Sequence, residues 1–381
     1  MSEAPAQQAS PSFVLERLSV RSFRNLTNVE AEFSPRLNVL YGDNGQGKTN
    51  LLEAIYALCT SKSFRTSAFS DLLPFAGPLE AIASVRGTFL EDGLPREQSL
   101  GLARGKRSAR IDGKRPRSLA DYARHSPVVV FYPGELTLTM GPSRERRRLL
   151  DRVGFFLAPA YATDLESFGA ALRSRQKVLE TRGAHARDLE HWEELCVTHG
   201  LAVTHARERV AAALTERTLA TFANVAAPDL GLTMAYRASA PTDREAYRTR
   251  LLSERERDLR RGSAATGPHR DDLTLDLGTP RAPARLVASQ GQHRALVLSL
   301  KAAEMATIRE ARGTEPILLL DDVSSELDEA RTESYFRFLA VRTNQVFLTT
   351  TRASLIPAEL EALDLGRRDF EVRGGQLFSP S

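Results

Sequence analysis

The chain has 381 residues, 42% of them hydrophobic and 26% charged, which suits a globular protein of two or three domains with a large core. No run approaches the roughly 18 consecutive apolar residues of a membrane-spanning helix, so no membrane partner is expected. The formal charge of +4 is too small to demand a polyanionic partner by itself, but residues 104–148 carry twelve Lys or Arg against four Asp or Glu.

Residues 1–12 are rich in Ala, Gln, Ser and Pro and lack the basic start and apolar stretch of a signal peptide; they read as a disordered tail on a cytoplasmic protein. Phe13 to Phe23 and Leu26 to Phe33 alternate apolar and polar residues, the period of half-buried strands. Leu37 to Leu40 is an apolar run that reads as a buried strand. It opens onto Tyr41-Gly42-Asp43-Asn44-Gly45-Gln46-Gly47-Lys48-Thr49-Asn50, and Leu51 to Leu58 then has helical spacing. Strand, glycine-rich loop, Lys, hydroxyl and helix is the P-loop arrangement. Glycines let backbone N–H groups turn inward around an anion, and the helix N-terminus adds partial positive charge. On this reading residues 42–50 bind ATP, Lys48 reaches the β- and γ-phosphates, and the Thr49 hydroxyl ligates Mg²⁺.

A polar loop from Ser61 to Thr66 follows and carries Arg65. Leu79 to Leu90 and Gln98 to Ala103 read as strands, and Asp112-Gly113 marks a hairpin turn within Arg107 to Arg117. Val128 to Phe131 is a short buried strand. From Ser143 the pattern is helical. Residues 160–181 and 187–224 are long Ala/Leu/Arg/Glu stretches broken at Thr181-Arg182-Gly183, which implies an antiparallel helical hairpin without sustained heptads. Residues 242–261 add a charged helix, Leu273 to Leu277 a strand, and Gln290 to Arg312 a helix. Ile317 to Leu320 is a buried strand ending in Asp321-Asp322, Leu327 to Leu339 a helix, and Gln345 to Thr349 a strand. The expected fold is α/β: a P-loop ATPase head with N-terminal antiparallel strands in a mixed sheet. Its two parts, residues 13–142 and 262–381, flank an inserted helical arm, residues 143–261.

A P-loop needs a carboxylate for its metal. Asp321 ends an apolar run that fits a parallel strand, whose C-terminal edge is where open α/β sheets bind ligands. Asp321 is therefore assigned to Mg²⁺ or a coordinated water, and Asp322 to positioning or deprotonating the attacking water, so that Lys48 and Asp322 form the catalytic pair. Upstream, Ser289-Gln290-Gly291-Gln292 opens a helix with an N-cap Ser and a bare Gly, an anion-binding start. It resembles the signature sequence of ABC-type ATPases, and Val323 to Asp328 resembles their loop after the metal-binding Asp. That pairing implies a dimer in which Ser289, Gln290, Gly291 and Gln292 complete the ATP site of a second copy. For DNA the candidates are Arg65, Arg104, Lys106, Arg107, Arg110, Lys114, Arg115 and Arg117, with Arg144, Arg146 and Arg147 at the start of the arm. Phosphate contact by such residues is independent of sequence and sensitive to salt. GC-rich coding accounts for much of the Arg excess, 46 Arg to 6 Lys, but not for its clustering. The seven histidines show no zinc spacing. Cys59 and Cys196 fit packed thiols in a reducing compartment better than a disulfide.

Four stretches resemble the RecF family of recombination mediators: Arg21 to Asn25, Gly42 to Asn50, Thr266 to Asp272, and Leu319 to Val323. Ser289 to Gln292 and Gln345 to Thr350 also match. The resemblance spans most of residues 13–355, and the family is related to the heads of SMC-type chromosome proteins. It implies an ATP-dependent, sequence-independent DNA-binding dimer with weak DNA-dependent ATPase activity and no nuclease, acting on duplex and gapped or junction DNA with RecR and RecO to load RecA. It also implies a nucleotide- or DNA-coupled role for Arg65 and a structural loop, near the dimer or nucleotide site, at His269 to Asp272. His293 stands where the family commonly has Gln, Asp322 where ABC transporters have Glu, and Thr349-Thr350-Thr351 where transporters have a switch His. Gln98 and Gln176 offer no clear Gln-loop. An ABC transporter subunit, an SMC-like structural tether and an ATP-dependent nuclease are the rivals. The first would need a membrane partner, the second longer heptad arms, and the third a further carboxylate cluster.

Overall fold

In a computed structural model of the chain the described residues are 13–74, 81–225, 230–278, 280–322, 345–352 and 366–379. The expected tail over residues 1–12, the Val323 to Asp328 loop and the Leu327 to Leu339 helix lie outside them. In chain order the first elements are β1 (Phe13–Phe23), β2 (Leu26–Glu32), β3 (Leu37–Tyr41), α1 (Lys48–Thr60), β4 (Ala83–Glu91), β5 (Leu94–Ala103), β6 (Lys106–Ile111), α2 (Leu119–Arg124), β7 (Val128–Phe131), α3 (Thr137–Met140) and α4 (Ser143–Leu157). They are followed by α5 (Tyr161–Arg182), α6 (Leu189–Val225), β8 (Leu232–Arg237), α7 (Arg244–Ser253), α8 (Arg255–Arg261), β9 (Asp272–Leu277), β10 (Ala282–Pro283), α9 (Ala284–Val287) and α10 (Gln290–Arg312). The last are β11 (Ile317–Leu320), β12 (Val346–Thr350), β13 (Arg367–Arg373) and β14 (Gln376–Phe378). The chain divides into two compact units, Met1–Glu135 with Ile308–Ser381, and Leu136–Thr307.

The first unit holds two sheets. One is antiparallel in the order β2-β1-β4-β5-β6; the other is mixed, in the order β14-β13-β3-β12-β11-β7. In the second sheet β13, β3, β12, β11 and β7 run parallel, and only β14 is antiparallel. Parallel strands covered on both faces lose the apolar–polar alternation, which is why Ile317–Leu320 and Val128–Phe131 are buried at every position. Register places Leu320 beside Leu348 and Phe131, and Thr350 beside Tyr41. The loops after β3, β11, β12 and β7 therefore leave from one edge of the sheet.

Helix α1 packs on both sheets, and every residue from Leu51 to Cys59 is buried. Apart from Glu53 these residues are apolar or weakly polar, as an enclosed helix requires. Phe33 meets the rings of Phe347 and Phe370 edge-on. Buried Gln345 bridges the sheets: its Oε1 accepts from the Leu15 N–H at 2.8 Å, and its Nε2 donates to the carbonyls of Leu15 and Ser34. An amide sealed in the core is tolerated because each of these groups is paired.

In the second unit α5 and α6 pack as the expected helical hairpin, turning at Gly183, whose φ of +80° suits glycine. Helix α6 has 37 residues, a length of about 55 Å. The charged stretch expected as one helix over 242–261 is two, α7 and α8, meeting at Glu254. The expected domain boundaries also move. The unit starts at Leu136 rather than 143 and runs to Thr307 rather than 261. The cause is pairing that sequence proximity hides: β9 lies antiparallel against β8 in the sheet β10-β9-β8, and Arg146 of α4 forks onto Asp272 at the start of β9. Both cysteines are buried free thiols, and burial pushes each up to about 12.

Candidate nucleotide-binding site

The loop between β3 and α1 adopts the backbone that its glycines permit. Gly42, Gly45 and Gly47 have φ of +144°, +80° and +117°. A Cβ on Gly42 would lie 2.4 Å from the Val372 carbonyl oxygen, so nothing larger fits. Gly47 is the N-cap of α1 and supplies no capping side chain. The first N–H groups of a helix have no intrahelical partner, so this end is an anion-binding surface. The Lys48 Nζ donates to the carbonyls of Gly42 at 2.6 Å and Asp43 at 2.9 Å, which arches the ammonium over the loop. Burial lowers its pKa, opposed by Asp322, Asp321 and Asp43.

Both carboxylates follow β11, one strand beyond β12 from the P-loop strand β3. Asp321 follows β11 and is buried; its Oδ1 accepts from the Thr49 hydroxyl at 2.8 Å and from the Thr349 hydroxyl at 2.9 Å. Burial raises its pKa, while the Thr49 and Thr349 hydroxyls pull it back. Asp322 is exposed, with its backbone in the left-handed region at φ +52°. Its N–H donates to the Thr349 hydroxyl at 2.9 Å. The structure thus brings Lys48, Thr49, Asp321 and Asp322 together. It also gives Thr349, which the sequence marks only as standing where a histidine would, a definite job: one hydroxyl holds both halves of the Asp321-Asp322 turn. Two oxygens 2.8 Å apart at the P-loop, Thr49 Oγ1 and Asp321 Oδ1, fit a hard divalent cation. Among the described residues no group of three or more His, Cys, Asp or Glu is placed to hold a metal.

A ring of polar side chains surrounds the loop, and sequence reasoning missed most of it. Asn25, in the β1–β2 turn, accepts from Asn50 Nδ2 at 2.7 Å and donates to the Gln46 carbonyl at 3.3 Å. Arg65 donates to Asn50 Oδ1 at 2.9 Å and lies 3.6 Å from Glu53, so it stands beside the P-loop helix. Glu53 is fully buried in α1 and is paired with Arg24, whose Nη2 donates at 2.9 Å, and with the Ser63 hydroxyl. The signal was present: a Glu inside an otherwise apolar helix requires a cation, and Arg24 at φ +51° marks a turn built for one. Gln98 is buried on β5, bonded to the Leu58 carbonyl and to Ser126 and Arg96, and so belongs to the core. Gln176 bonds Glu180 along α5.

In the second unit, Ser289 and Gln292 form a reciprocal cap: the Ser289 N–H donates to Gln292 Oε1 at 2.8 Å, and the Gln292 N–H to Ser289 Oγ at 3.3 Å. Ser289 and Gln290 are exposed at the start of α10, with Gly291 next to them half-buried. His293 points the other way, buried against the Thr139 hydroxyl at 3.0 Å, so its departure from Gln leaves the exposed start of the helix intact. The stretch His269 to Asp272 is a structural knot. Asp271 is buried and takes hydrogen bonds from Tyr236, from the Ser239 N–H at 2.8 Å and from Arg207 at 3.2 Å.

The basic candidates separate. Arg104, Lys106, Arg107, Arg110, Lys114, Arg115 and Arg117 are exposed along the edge strand β6 and its flanking turns. Arg107 also donates to the Ser61 carbonyl at 2.9 Å and lies 4.5 Å over the Phe69 ring. Arg144 is exposed. Arg146 is not a surface residue: it is buried, held by Asp272 at 2.7 and 3.0 Å and by the carbonyls of Leu138 and Gly141. Arg147 donates to Ser143 Oγ and the Asp271 carbonyl. These two side chains serve the packing of α4 against β9.

Residues 14–364 match the RecF/RecN/SMC N terminal domain. The DNA replication and repair protein RecF of Anaeromyxobacter dehalogenans is 41% identical over 372 residues, covering 94% of this chain and 97% of that protein. RecF of Myxococcus xanthus is 39% identical over 373 residues, with 94% and 96% covered. A solved structure described as the recombination mediator protein RecF-ATP in the RecFOR pathway superposes with a TM-score of 0.88 at 28% identity, covering 98% of this chain and 100% of that one. An Smc head from Pyrococcus furiosus, at TM-score 0.54 and 17% identity over 97% of this chain and 96% of its own, shares the fold. A P-loop after β3 and a buried Asp321 after β11, parallel strands with β12 between them, are thus found in a chain that belongs to the RecF family.

Proposed function

We propose that this protein is an ATP-driven DNA-binding protein of recombinational gap repair, whose P-loop binds Mg²⁺-ATP. The observation that carries the nucleotide reading is the 2.8 Å contact between Thr49 Oγ1 and Asp321 Oδ1, which joins the P-loop helix to the carboxylate strand. A bound Mg²⁺ would neutralise phosphate charge, taking its remaining ligands from phosphate and water. The chain's own residues supply the rest. The bare N-terminus of α1 and Lys48 bind the phosphates. Asp322, exposed beside Lys48, orients the attacking water and takes its proton. An Asp where ABC transporters carry Glu suits slow turnover, the behaviour of a switch more than of a metabolic enzyme.

The exposed Ser289 cap supports a dimer in which each α10 start completes the ATP site of the other copy. ATP would then favour the dimer through contacts that hydrolysis removes. The basic edge of β6 supports contact with DNA phosphates irrespective of sequence. The relatives' names, which speak of DNA replication and repair and of the RecFOR pathway, support a role in repair; RecR, RecO and RecA as partners and a cytoplasmic setting are part of this proposal. Among the described residues no helix is long and apolar enough to cross a membrane.

Sedimentation and gapped-DNA binding, each with and without ATP, test the proposal. Wild type should dimerise with ATP on DNA. Lys48→Arg should weaken ATP binding, and Ser289→Arg should bind ATP yet lose the ATP-induced dimer. A wild-type chain that stays monomeric with both ligands would remove the dimer from the mechanism.

A further inference from the structure

The hydrogen bonds of the polar ring around the P-loop run one way toward Gln46, and a second set of donors reaches Gln46 from the C-terminal hairpin. Arginine is only a donor, so Arg65 Nη1 at 2.9 Å fixes the Asn50 amide with its oxygen toward the guanidinium. Asn50 Nδ2 must then donate to Asn25 Oδ1, at 2.7 Å, which leaves Asn25 Nδ2 to donate to the Gln46 carbonyl. That carbonyl receives a second donor, the N–H of Gly375, at 2.9 Å. The adjacent Gly374 N–H donates to Gln46 Oε1 at 2.7 Å. Gly374 and Gly375 join β13 to β14 with φ of +56° and +75°, the left-handed pair that a two-residue hairpin turn demands. The turn sits tight on the loop: a Cβ on Gly375 would lie 2.0 Å from the Asn25 carbonyl oxygen.

The Gln46 carbonyl and the Gly47 N–H belong to one planar trans peptide, so they point in opposite directions. Two donors that hold the carbonyl outward therefore hold the N–H inward, toward the space where the bare start of α1 binds an anion. We infer that the Gly374-Gly375 turn is a positioning element of the nucleotide site, which with Asn25 orients the Gln46–Gly47 peptide so that the Gly47 N–H faces the phosphates. This rests on the reading of the P-loop as an ATP site. It extends that site to the far end of the chain: a hairpin more than 320 residues away in sequence sets the cradle before nucleotide arrives. A preset donor costs no reorganisation on binding, so the contribution appears in affinity for nucleotide rather than in the stability of the free protein.

The test is titration of the full chain with Mg²⁺-ATP by calorimetry, together with melting of the free protein. Gly375→Ala drives a Cβ into the Asn25 carbonyl and displaces the turn. Asn25→Asp keeps the size of the side chain and its bond from Asn50 but replaces the donor to Gln46 with an acceptor. Each should weaken ATP binding by about tenfold or more. Gly93→Ala is the matched control. Gly93 lies in the β4–β5 turn at φ +79°, with nothing within 4 Å of an added Cβ. It carries the same backbone strain without touching the P-loop, so it should bind ATP within about twofold of wild type even if its melting temperature falls equally. Wild-type affinity in both Gly375→Ala and Asn25→Asp would overturn the proposal, as would an equal loss in Gly93→Ala. Absence of ATP binding by the wild-type chain would overturn the nucleotide site and its positioning together.

Discussion

Arginine does opposite work among the packed helices and along the edge strand β6. In the helical unit, Arg175 of α5 and Arg207 of α6 are almost wholly buried. Arg175 donates to Glu193 at 3.1 Å, Asp258 at 2.7 Å and the Leu251 carbonyl at 3.0 Å, so one guanidinium ties α5, α6, α7 and α8. Arg207 reaches Asp151 at 2.8 Å, Asp271 at 3.2 Å and the Pro268 carbonyl at 2.6 Å. Along β6 of the other unit, Arg104, Arg110, Arg115 and Arg117 stand in solvent. The planar, five-donor fork explains both uses: enclosed, it satisfies several acceptors at once, and exposed, it suits phosphate. An Arg-rich composition is therefore no measure of a nucleic-acid surface. Only the arginines without a buried carboxylate to serve are available to an outside anion.

The largest effect that can break this contrast is at Arg175. Arg175→Ala leaves Asp258 buried without its guanidinium partner, while Glu193 keeps Arg255 at 2.6 Å; stranding the one carboxylate should cost about 3 kcal/mol. Urea unfolding followed through the helical signal would show it. A loss below about 1 kcal/mol would mean that the enclosed network is no more than surface-like. The next effect, in the same unit, is acid-dependent. Burial would raise the Glu304 carboxyl, but Arg152 at 2.8 Å and Lys301 overcome it and bring it from 4.5 to about 2. A depressed carboxylate contributes stability that is complete above its unfolded value and is lost as pH falls through its folded one. Glu304→Gln should therefore cost about 3 kcal/mol at neutral pH, and the gap from wild type should close as pH falls from 4.5 toward 2. Denaturant titrations at several pH values check it.

Much of the head was legible because its chemistry is local. The P-loop glycines, Lys48 and Thr49 are adjacent in sequence, and Asp321 announces itself as the first charge after four apolar residues. What escaped depends on distant segments meeting. Asn25 finds Asn50 and Gln46 only when β1 and β2 fold over the loop, and the Gly374-Gly375 turn meets Gln46 only when β13 pairs with β3. The compact unit runs past residue 261 for the same reason, since β8 and β9 are a pair that no local pattern reveals. Arg146 was readable after all. It shares a helical face with Leu149, Leu150 and Val153, all buried, so its spacing already turned it inward, whereas Arg144 and Arg148 fall on the exposed face.

The smallest effect on stability belongs to the exposed arm of the comparison, and there the readout is salt. Replacing Lys114, Arg115 and Arg117 together with Ala removes three cations from the turn after β6 and its following segment. Each change should alter stability by less than about 0.5 kcal/mol, since none has a buried partner to strand. Arg107 is left in place because its bond to the Ser61 carbonyl and its seat on Phe69 make it part of the fold. If the three touch phosphate, removing each cation should flatten the log–log dependence of DNA affinity on salt by about 0.9. A slope that falls by about two to three, with melting unchanged, assigns this edge to DNA. An unchanged slope gives the charges another purpose. Strand β6 is the open edge of its sheet, and a row of cations on such an edge keeps a second chain from pairing with it. The triple variant would then aggregate more readily while binding DNA as before, and light scattering would separate the two roles.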